Sequence, residues 1–263
     1  MKSRTLFLYA LAYLAFLYGP VLVLPVFSFN DSQFIAFPLS GFTIRWYQGL
    51  AADSAMQHAL GNSLKVGLAT ALLSTMLGLA AARAVTRYRL KGAGAALGFI
   101  SLPLFIPDIV LGLSLMLLLG AGGLSLSLAA VVLGHLLICV PFALTVLIAR
   151  FEGFDRNLEE ASADLGEDPW MTFWRVTFPL MRPGVAAGMF YAFIVSFGDV
   201  PIAIFLVQSE RTTLPVLIFQ DMQFDFRPSM LAASIIVVIA SLALILAVQR
   251  FAGLDVILPS KRK

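Results

Sequence analysis

The chain has 263 residues, of which 60% are hydrophobic and only 13% are charged, and its mean hydropathy is +0.91. Soluble globular domains carry about 25% charged residues, so this composition excludes a soluble fold and predicts a chain embedded in a membrane. Helices of about 20 residues would place roughly half of the chain in hydrocarbon, and the connections are too short for a separate soluble domain. We therefore predict a single transmembrane domain over residues 1–263.

Six apolar stretches follow one another along the chain. They have the length of transmembrane helices and lack the period-two alternation of a transmembrane β-strand, so the predicted fold is all-α and polytopic, with six transmembrane helices. Lys2 and Arg4 before the first stretch resemble the start of a signal peptide, but the stretch is long and has no clear cleavage site, which favours an uncleaved helix. The predicted spans lie near residues 6–29, 60–82, 95–119, 126–149, 184–207 and 230–249.

Lysine and arginine are distributed unequally between the two sides that this topology defines. With a cytoplasmic N-terminus, 14 of the 18 cations fall on the cytoplasmic side, in the termini and in the connections 83–94 and 150–183. Cytoplasmic connections carry the Lys and Arg excess, so both termini are predicted to be cytoplasmic. The same excess explains the isoelectric point of about 9.2 without a nucleic acid partner, and none is expected. The 14 are Lys2, Arg4, Arg83, Arg87, Arg89, Lys91, Arg150, Arg156, Arg175, Arg182, Arg250, Lys261, Arg262 and Lys263, and the outer four are Arg45, Lys65, Arg211 and Arg227.

The connection between the fourth and fifth spans is rich in helix-capping residues. Asp155 is placed to cap a short helix over 156–165, and Gly166 suits the left-handed conformation that commonly ends a helix. Asp168 followed by Pro169 can then begin a second helix. The pattern predicts two short helices with a sharp turn between them.

Both short helices have distinct faces. On the first, Leu158, Ala161, Ser162 and Leu165 share one face, and Glu160 and Asp164 share another. Two like charges four residues apart repel by a few tenths of a kcal/mol, which indicates either a basic group on a partner or a solvated acidic face.

On the second helix, Trp170, Phe173, Trp174 and Thr177 recur at helical spacing. Such a face would fill a groove on a partner or lie at the level of the lipid headgroups. Pro179 and Pro183 are expected to end this helix before the fifth span.

The same segment carries a pattern of wider spacing. It reads Glu160-Ala161-Ser162, three residues, Gly166, nine residues, Val176, one residue, Phe178-Pro179. This resembles the cytoplasmic signature of the inner-membrane permease subunits of binding-protein-dependent ATP-binding cassette (ABC) importers, which is Glu-Ala-Ala, three residues, Gly, nine residues, Ile, one residue, Leu-Pro. The spacing is intact, with conservative departures at Ser162, Val176 and Phe178. Further short matches, most similar to the spermidine/putrescine-type branch, are Asn62-Ser63-Leu64, Leu102-Pro103, Pro107-Asp108, Pro141-Phe142 and Thr213-Leu214-Pro215.

The resemblance implies a MetI-like permease fold in a bacterial inner membrane. It also implies that the signature forms a coupling helix that docks in a cleft of a cytoplasmic ATPase, and we call residues 155–179 the coupling segment. The implied partners are two ATP-binding cassette ATPase subunits, a second permease subunit, homologous or identical, and a periplasmic or extracellular solute-binding protein. The implied docking residues are Glu160, Ala161, Ser162, Asp164, Leu165, Gly166, Trp170 and Pro179.

The chain itself is not predicted to be an enzyme. No stretch reads Gly-x-x-x-x-Gly-Lys-Ser/Thr, the loop that binds nucleotide phosphates, so ATP and Mg are expected in the partner ATPase. We expect no cofactor and no metal site in this chain.

Two aspartates lie within predicted spans, where ionisable groups are costly and are candidates for function. Asp108 follows Pro103 and Pro107 in the third span, and Asp199 lies between Gly198 and Pro201 in the fifth. Broken helices at membrane depth are tolerated where they line a wet cavity or are buried in protein. Asp108 and Asp199 are therefore candidates for a translocation path suited to a cation, or else interhelical partners or caps of broken helices.

The solute is suggested only by the resemblance. A polyamine or similar small amine is the first expectation, while related permeases transport phosphonates, ferric iron, opines or sulfate.

Two other classes of protein remain open at this level. A secondary transporter would need no ATPase. An intramembrane serine protease could draw on Ser114 or Ser125, with His135 as base, although His135 is also expected as a hydrogen-bonded packing residue and Cys139 as a packing residue.

Overall fold

The computed structural model describes residues 2–32, 36–88, 90–208, 211–224 and 228–252. This part of the chain is helical, and its extended pairing is an isolated bridge between Asn30 and Phe42. The α-helices in chain order are α1 (Lys2–Ser28), α2 (Arg45–Ala52), α3 (Ser54–Arg87), α4 (Ala93–Ser101), α5 (Asp108–Ala121), α6 (Leu128–Glu152), α7 (Asn157–Asp164), α8 (Pro169–Thr172), α9 (Phe178–Gly198), α10 (Ala203–Leu206), α11 (Leu214–Phe224) and α12 (Pro228–Ala252). A 3₁₀ turn (Leu102–Phe105) lies between α4 and α5, and a π-helical turn (Phe173–Thr177) joins α8 to α9.

Four described helical segments are long and apolar enough to cross a membrane. They are Arg4–Ser28, Ser54–Arg87, Leu128–Glu152 and Pro169–Gly198. The bent pair formed by α4 and α5 makes a fifth if it is a single span, and Pro228–Ala243 is a shorter apolar stretch. The all-α membrane architecture is therefore confirmed, whereas the number of six spans stays a prediction. The last predicted span, 230–249, includes positions whose side chains lie outside the described residues.

The third predicted span, residues 95–119, is divided into two helical segments near its prolines. Ala93–Phe105 and Asp108–Ala121 meet at an angle of 100°. Pro107 explains the bend, because proline disfavours the helical region for the residue before it. Ile106, directly before Pro107, is extended at φ −94° and ψ 131°. Asp108 then starts α5 at the bend.

The fifth predicted span, 184–207, is wrong at both ends. Pro179 and Pro183 do not end the preceding helix, because a continuous helical segment runs from Pro169 to Gly198. A π-helical turn, in which the Phe178 N–H donates to the Phe173 carbonyl, rearranges the backbone bonds just before Pro179. At the other end the helix stops at Gly198, and Asp199 is extended at φ −71° and ψ 133°.

Among the described residues, the chain divides into two compact units, one within residues 59–216 and 244–252 and the other within residues 2–58 and 217–243. In the second, Leu50 packs against Ala232 and Ala233, and the indole N–H of Trp46 donates to the carbonyl of Asn30.

The larger unit is built around α6 and α9, the pair with the most extensive contact. One apolar cluster surrounds Val131 and the buried Cys139, which packs as expected. A second cluster of Leu147, Phe151 and Met181 lies toward the end of α6 that leads to the coupling segment. The close approach of α3 to α6 depends on a small residue, Gly78, since a Cβ there would lie 3.0 Å from the backbone nitrogen of Leu144.

Candidate functional site: the coupling segment

The caps predicted for the coupling segment are present. Asp155 Oδ1 accepts a hydrogen bond from the Asn157 N–H at 3.0 Å, although α7 begins at Asn157, one residue later than expected. Gly166 has φ +91°, as the left-handed prediction requires. Asp168 Oδ1 accepts from the N–H groups of Trp170 and Met171 at 2.8 and 2.9 Å. The Asp155 contact lies at the start of α7, whereas the left-handed Gly166 and the cap at Asp168 fix the turn between α7 and α8.

Two backbone hydrogen bonds cap the C-terminal end of α7. The Gly166 N–H donates to the Ala163 carbonyl at 2.9 Å, and the Glu167 N–H donates to the Ser162 carbonyl at 3.2 Å. The second bond spans six residues, as in a Schellman motif, and needs a positive φ at the residue before its donor. Gly166 supplies that conformation at no steric cost.

The two short helices are joined to each other and to α3 by polar side chains. The hydroxyls of Ser162 and Thr172 lie 3.0 Å apart in a buried contact. Arg83 on α3 donates to the Pro169 carbonyl at 3.0 Å, and its guanidinium lies 4.5 Å from the centre of the Phe173 ring. These contacts hold the segment against the end of α3.

Glu159 is a site residue that the sequence did not reveal. Its carboxylate lies 2.5 Å from Arg87 Nε and accepts the Thr177 hydroxyl at 2.6 Å. Arg87 and Glu159 are only 13% and 17% exposed. The neighbouring Glu160, by contrast, is 64% exposed and lies 3.6 Å from Arg156.

The predicted aromatic face of the second helix is divided. Trp170 and Trp174 are 65% and 45% exposed, whereas Phe173 and Thr177 are buried. The expectation that all four present one face to a partner is therefore wrong. Phe173 and Thr177 lie in the π-helical turn, which departs from the 3.6-residue period used for the prediction.

The predicted apolar face of the first short helix is also divided. Ser162 is buried, but Leu158 and Leu165 are 45% and 87% exposed. Glu160 and the two tryptophans are exposed as well, and we call these exposed residues of the two short helices the docking face: Leu158, Glu160, Leu165, Trp170 and Trp174. Ala161, Asp164 and Gly166 are exposed beside it, and Pro179 is half-buried.

An open pocket of about 320 Å³ lies between the end of α3 and the two short helices and includes Glu160 of the docking face. Its lining carries both signs of charge, so the cavity has no strong preference for an anion or a cation. The lining residues are Arg83, Arg87, Tyr88, Arg156, Glu159, Glu160, Ala163, Glu167, Pro169 and Thr172.

The two membrane aspartates occupy different environments. Asp108 is exposed at the start of α5. Asp199 is 9% exposed, and its Oδ1 accepts from the N–H groups of Ile202 and Ala203 at 3.1 and 3.0 Å. No hydrogen bond or ion pair among the residues that the structure describes joins Asp108 to Asp199.

His135 connects α6 to the end of α9. Its Nε2 lies 3.2 Å from Asp199 Oδ1, and its Nδ1 lies 2.7 Å from Ser196 Oγ. His135 is fully buried and Ser196 is 4% exposed. The expectation of a hydrogen-bonded packing histidine is confirmed, and its serine partner is neither Ser114 nor Ser125.

Solved structures share this fold. The crystal structure of a bacterial ABC transporter involved in the import of the acidic polysaccharide alginate matches with a TM-score of 0.68, covering 95% of this chain and 94% of that chain at 18% identity. The crystal structure of a bacterial alginate ABC transporter in complex with alginate pentasaccharide-bound periplasmic protein matches with a TM-score of 0.73. The match covers 96% of this chain and 93% of that chain at 18% identity. The crystal structure of an amino acid ABC transporter with histidines matches with a TM-score of 0.59, covering 80% of this chain and 99% of that chain at 18% identity. The fold is therefore that of a membrane subunit of an ABC transporter.

The sequence narrows this class to a family. The model of a protein family described as "binding-protein-dependent transport system inner membrane component" matches residues 74–254 of this chain. The putrescine transport system permease protein PotI of Escherichia coli K12 is 34% identical over 229 residues, 84% of this chain and 81% of that protein. The spermidine/putrescine transport system permease protein PotC of the same strain is 32% identical, covering 90% of each. The PotC protein of Haemophilus influenzae is 31% identical, covering 89% and 91%.

This chain belongs to the family of inner membrane components of binding-protein-dependent transport systems. It is the permease subunit of an ABC importer and not an enzyme. The predicted family and the predicted kind of function are confirmed. A secondary transporter and an intramembrane serine protease, the two alternatives from sequence, are set aside by this membership.

Proposed function

We propose that this permease carries a polyamine, such as putrescine, through the inner membrane, driven by ATP hydrolysis in separate subunits that dock on its coupling segment. The observation that carries the docking half of the proposal is the contrast between the two sides of α7. Glu159 and Ser162 are buried in polar contacts within the chain, whereas Leu165 and Trp170 are 87% and 65% exposed. A surface that is rigidly supported and left apolar suits a partner protein.

The proposed assembly contains two ATP-binding cassette ATPase subunits, a second permease subunit and a solute-binding protein outside the membrane. ATP and Mg are bound by the ATPase subunits. The docking residues are Glu160, Ala161, Ser162, Asp164, Leu165, Gly166, Trp170 and Pro179. Within this set the exposed positions meet the ATPase, and the buried Ser162 hydroxyl supports them through its contact with Thr172.

We propose six spans in one transmembrane domain, with the α4 and α5 pair as the third and α12 as the sixth. Both termini are then cytoplasmic, and so is the coupling segment. Support comes from the cation distribution, because Arg83, Arg87, Arg156 and Arg175 all lie in or beside the segment.

The polyamine half of the proposal is supported by the names of the relatives and by Asp108. An exposed carboxylate at the bend of an apolar helix pair attracts a passing ammonium group, and no described residue forms an ion pair with it. Asp199 also belongs to the proposed path. Its oxygen Oδ1 is already engaged by two backbone N–H groups and lies beside His135. We therefore assign Asp199 the task of holding the break between α9 and α10 open to the path.

Transport by the purified assembly in proteoliposomes tests the proposal. Labelled putrescine should accumulate only with its binding protein outside and hydrolysable ATP at the ATPase side, and a non-hydrolysable analogue should abolish uptake. Unlabelled spermidine should compete, and phosphonate, ferric iron, an opine or sulfate should not. Uptake without ATP, or competition by one of these other solutes alone, would contradict the proposal.

A further inference from the structure

The Glu159 carboxylate, 17% exposed, lies where three helical elements of the coupling region meet. Arg87 is the last residue of α3, Glu159 lies on α7, and Thr177 ends the π-helical turn that continues into α9. One oxygen of Glu159 faces Arg87 and the other accepts the Thr177 hydroxyl. The contact therefore joins two predicted membrane spans to the short helix between them.

Two aromatic rings at and just after the end of α6 lie against the Arg87 side chain. The Arg87 guanidinium lies 5.2 Å from the centre of the Phe151 ring and 5.4 Å from that of Phe154. Phe151 is fully buried. Cation–π attraction strengthens as the site is removed from water, so the rings restrict where the guanidinium can move.

Burial makes the contact difficult to break. Removing one partner of a buried ion pair leaves the other charge without compensation, which is strongly unfavourable. An exposed pair can separate at little cost because water replaces the partner. Arg87 and Glu159, with exposures of 13% and 17%, are closer to the first kind. The pair between Arg156 and Glu160, with exposures of 62% and 64%, belongs to the second.

Two adjacent glutamates on α7 therefore have opposite environments. Glu160 belongs to the docking face and is open to a partner, while Glu159 points inward and is held by α3 and the π-helical turn. A displacement applied to the docking face reaches Glu159 through one short helix. It must then move α3 and α9 as well, unless the buried contact breaks.

We propose that Arg87, Glu159 and Thr177 are positioning residues that make α7 move as one body with α3 and α9, so that a push on the docking face enters two membrane spans together. This inference rests on the proposed function in one respect, that the push comes from a docked ATPase. The rigidity of the contact is independent of which solute is carried.

Conservative substitutions can separate this role from folding. Thr177→Val removes the hydroxyl and keeps the branched shape, and Thr177→Ser keeps the hydroxyl. Glu159→Gln removes the charge with little change in volume, but it leaves Arg87 buried without its counter-charge, so Thr177→Val is the main variant. Arg175→Gln is the matched control. It also removes an interaction from the coupling segment, the ion pair with Glu167, but Arg175 is 62% exposed.

The first measurement needs no solute. Spin labels at Leu72→Cys on α3 and Asn157→Cys on α7, where Asn157 is exposed and outside the docking residues, report the distance between the two helices by pulsed electron paramagnetic resonance. The measurement uses the intact assembly with the buried Cys139 replaced by Ala. Leu72 lies 15 residues before Arg87, about 22 Å along the helix, which favours a measurable separation. The otherwise unsubstituted protein, Thr177→Ser and Arg175→Gln should give one narrow distribution that is equally narrow without nucleotide and with trapped ATP. Thr177→Val should broaden it or add a second distance.

The second measurement is the amount of putrescine taken up per ATP hydrolysed in proteoliposomes. Thr177→Val should lower this ratio by about tenfold, which corresponds to about 1.4 kcal/mol. The KM for putrescine and the quantity of ATPase retained on purification should stay unchanged, and Thr177→Ser should restore the ratio. A general structural defect would instead reduce ATPase retention and would not be reversed by serine alone.

Unchanged distances and an unchanged ratio in Thr177→Val and Glu159→Gln would overturn the inference, and so would an equal effect of Arg175→Gln. Failure of the proposed function has a different outcome. A normal assembly that does not transport putrescine refutes the solute, and one that retains no ATP-binding subunit refutes the docking. In both cases the distance measurement still decides whether Arg87, Glu159 and Thr177 hold the helices together.

Discussion

Replacing Gly166 by valine should disturb coupling without disturbing membrane insertion. Gly166 has φ +91°, and a Cβ built there would meet nothing within 4 Å. The cost is therefore backbone strain and not a clash. For an ordinary L-residue the left-handed region costs about 1–2 kcal/mol, and a β-branched residue is among the least tolerant.

That strain is large compared with the local interactions that hold the turn. A change of about 1–2 kcal/mol alters a two-state ratio by about 5–30-fold. The turn depends on the two backbone bonds that end α7 and on the cap at Asp168, none of which lies in the membrane spans. We therefore expect Gly166→Val to redistribute the turn while the spans insert normally.

Two control variants make this prediction specific to the sign of φ. Gly166→Asn should be nearly neutral, because asparagine tolerates the left-handed region. Gly153→Ala replaces another glycine beside the coupling segment, but there φ is −80° and the nearest atom to a Cβ lies at 3.6 Å. Its effect should also be small.

The assay is uptake per ATP hydrolysed in proteoliposomes, together with the quantity of permease recovered in membranes. Gly166→Val should lower the ratio about fivefold or more at normal recovery, and the two controls should match the unsubstituted protein. Equal ratios in Gly166→Val and Gly166→Asn would refute the argument from backbone strain, and loss of all three proteins from the membrane would refute the claim that the turn is separate from insertion.

Three further predictions concern other parts of the chain. Glu160→Lys should leave insertion intact and uncouple hydrolysis from uptake, because it reverses the charge at the edge of the docking face; normal uptake in reconstituted vesicles would contradict this. Asp108→Asn should raise the KM for putrescine about fivefold, since an exposed carboxylate contributes at most about 1 kcal/mol to an ion pair, and an unchanged KM would remove Asp108 from the path. A double-mutant cycle of His135→Leu and Ser196→Ala should give a coupling energy of about 1 kcal/mol in thermal unfolding, within the range for hydrogen bonds between membrane helices, and strict additivity would show that the 2.7 Å contact contributes nothing.

Local chemistry was predictable from the sequence. Asp155, Gly166 and Asp168 all cap or turn the chain as expected, because a helix end is decided by a few neighbouring residues. The family signature added the spacing from Glu160 to Pro179. Together they predicted the first short helix and the start of the second to within one residue, but not the end of the second, which continues to Gly198.

Interactions between distant residues were not predictable in the same way. Glu159 and Glu160 have identical side chains, and only the position of α7 against Arg87 decides which of them is buried. His135 is separated from Ser196 by 61 residues and from Asp199 by 64, so no local pattern joins them. The direction of a side chain within a helical bundle depends on the packing of several helices.

The sequence indicated that prolines disturb the helices, but not the geometry that results. Pro103 and Pro107 indicated a disturbed third span, but not an angle of 100° between its halves. Pro179 was expected to end a helix and instead follows a π-helical turn that lets the helix continue. A proline removes a donor, and the neighbouring backbone decides whether the helix stops or rearranges.

The central claim is that force enters the membrane through an ATPase docked on the coupling segment. A photo-cross-linking amino acid at Leu165, which is 87% exposed, tests this in the purified assembly, with Leu133 on α6, 54% exposed, as the control position. Illumination should join Leu165 to the ATP-binding subunit, identified by mass spectrometry, while Leu133 should give no such product. An adduct of Leu165 with lipid or with the solute-binding protein, and none with the ATP-binding subunit, would contradict the account.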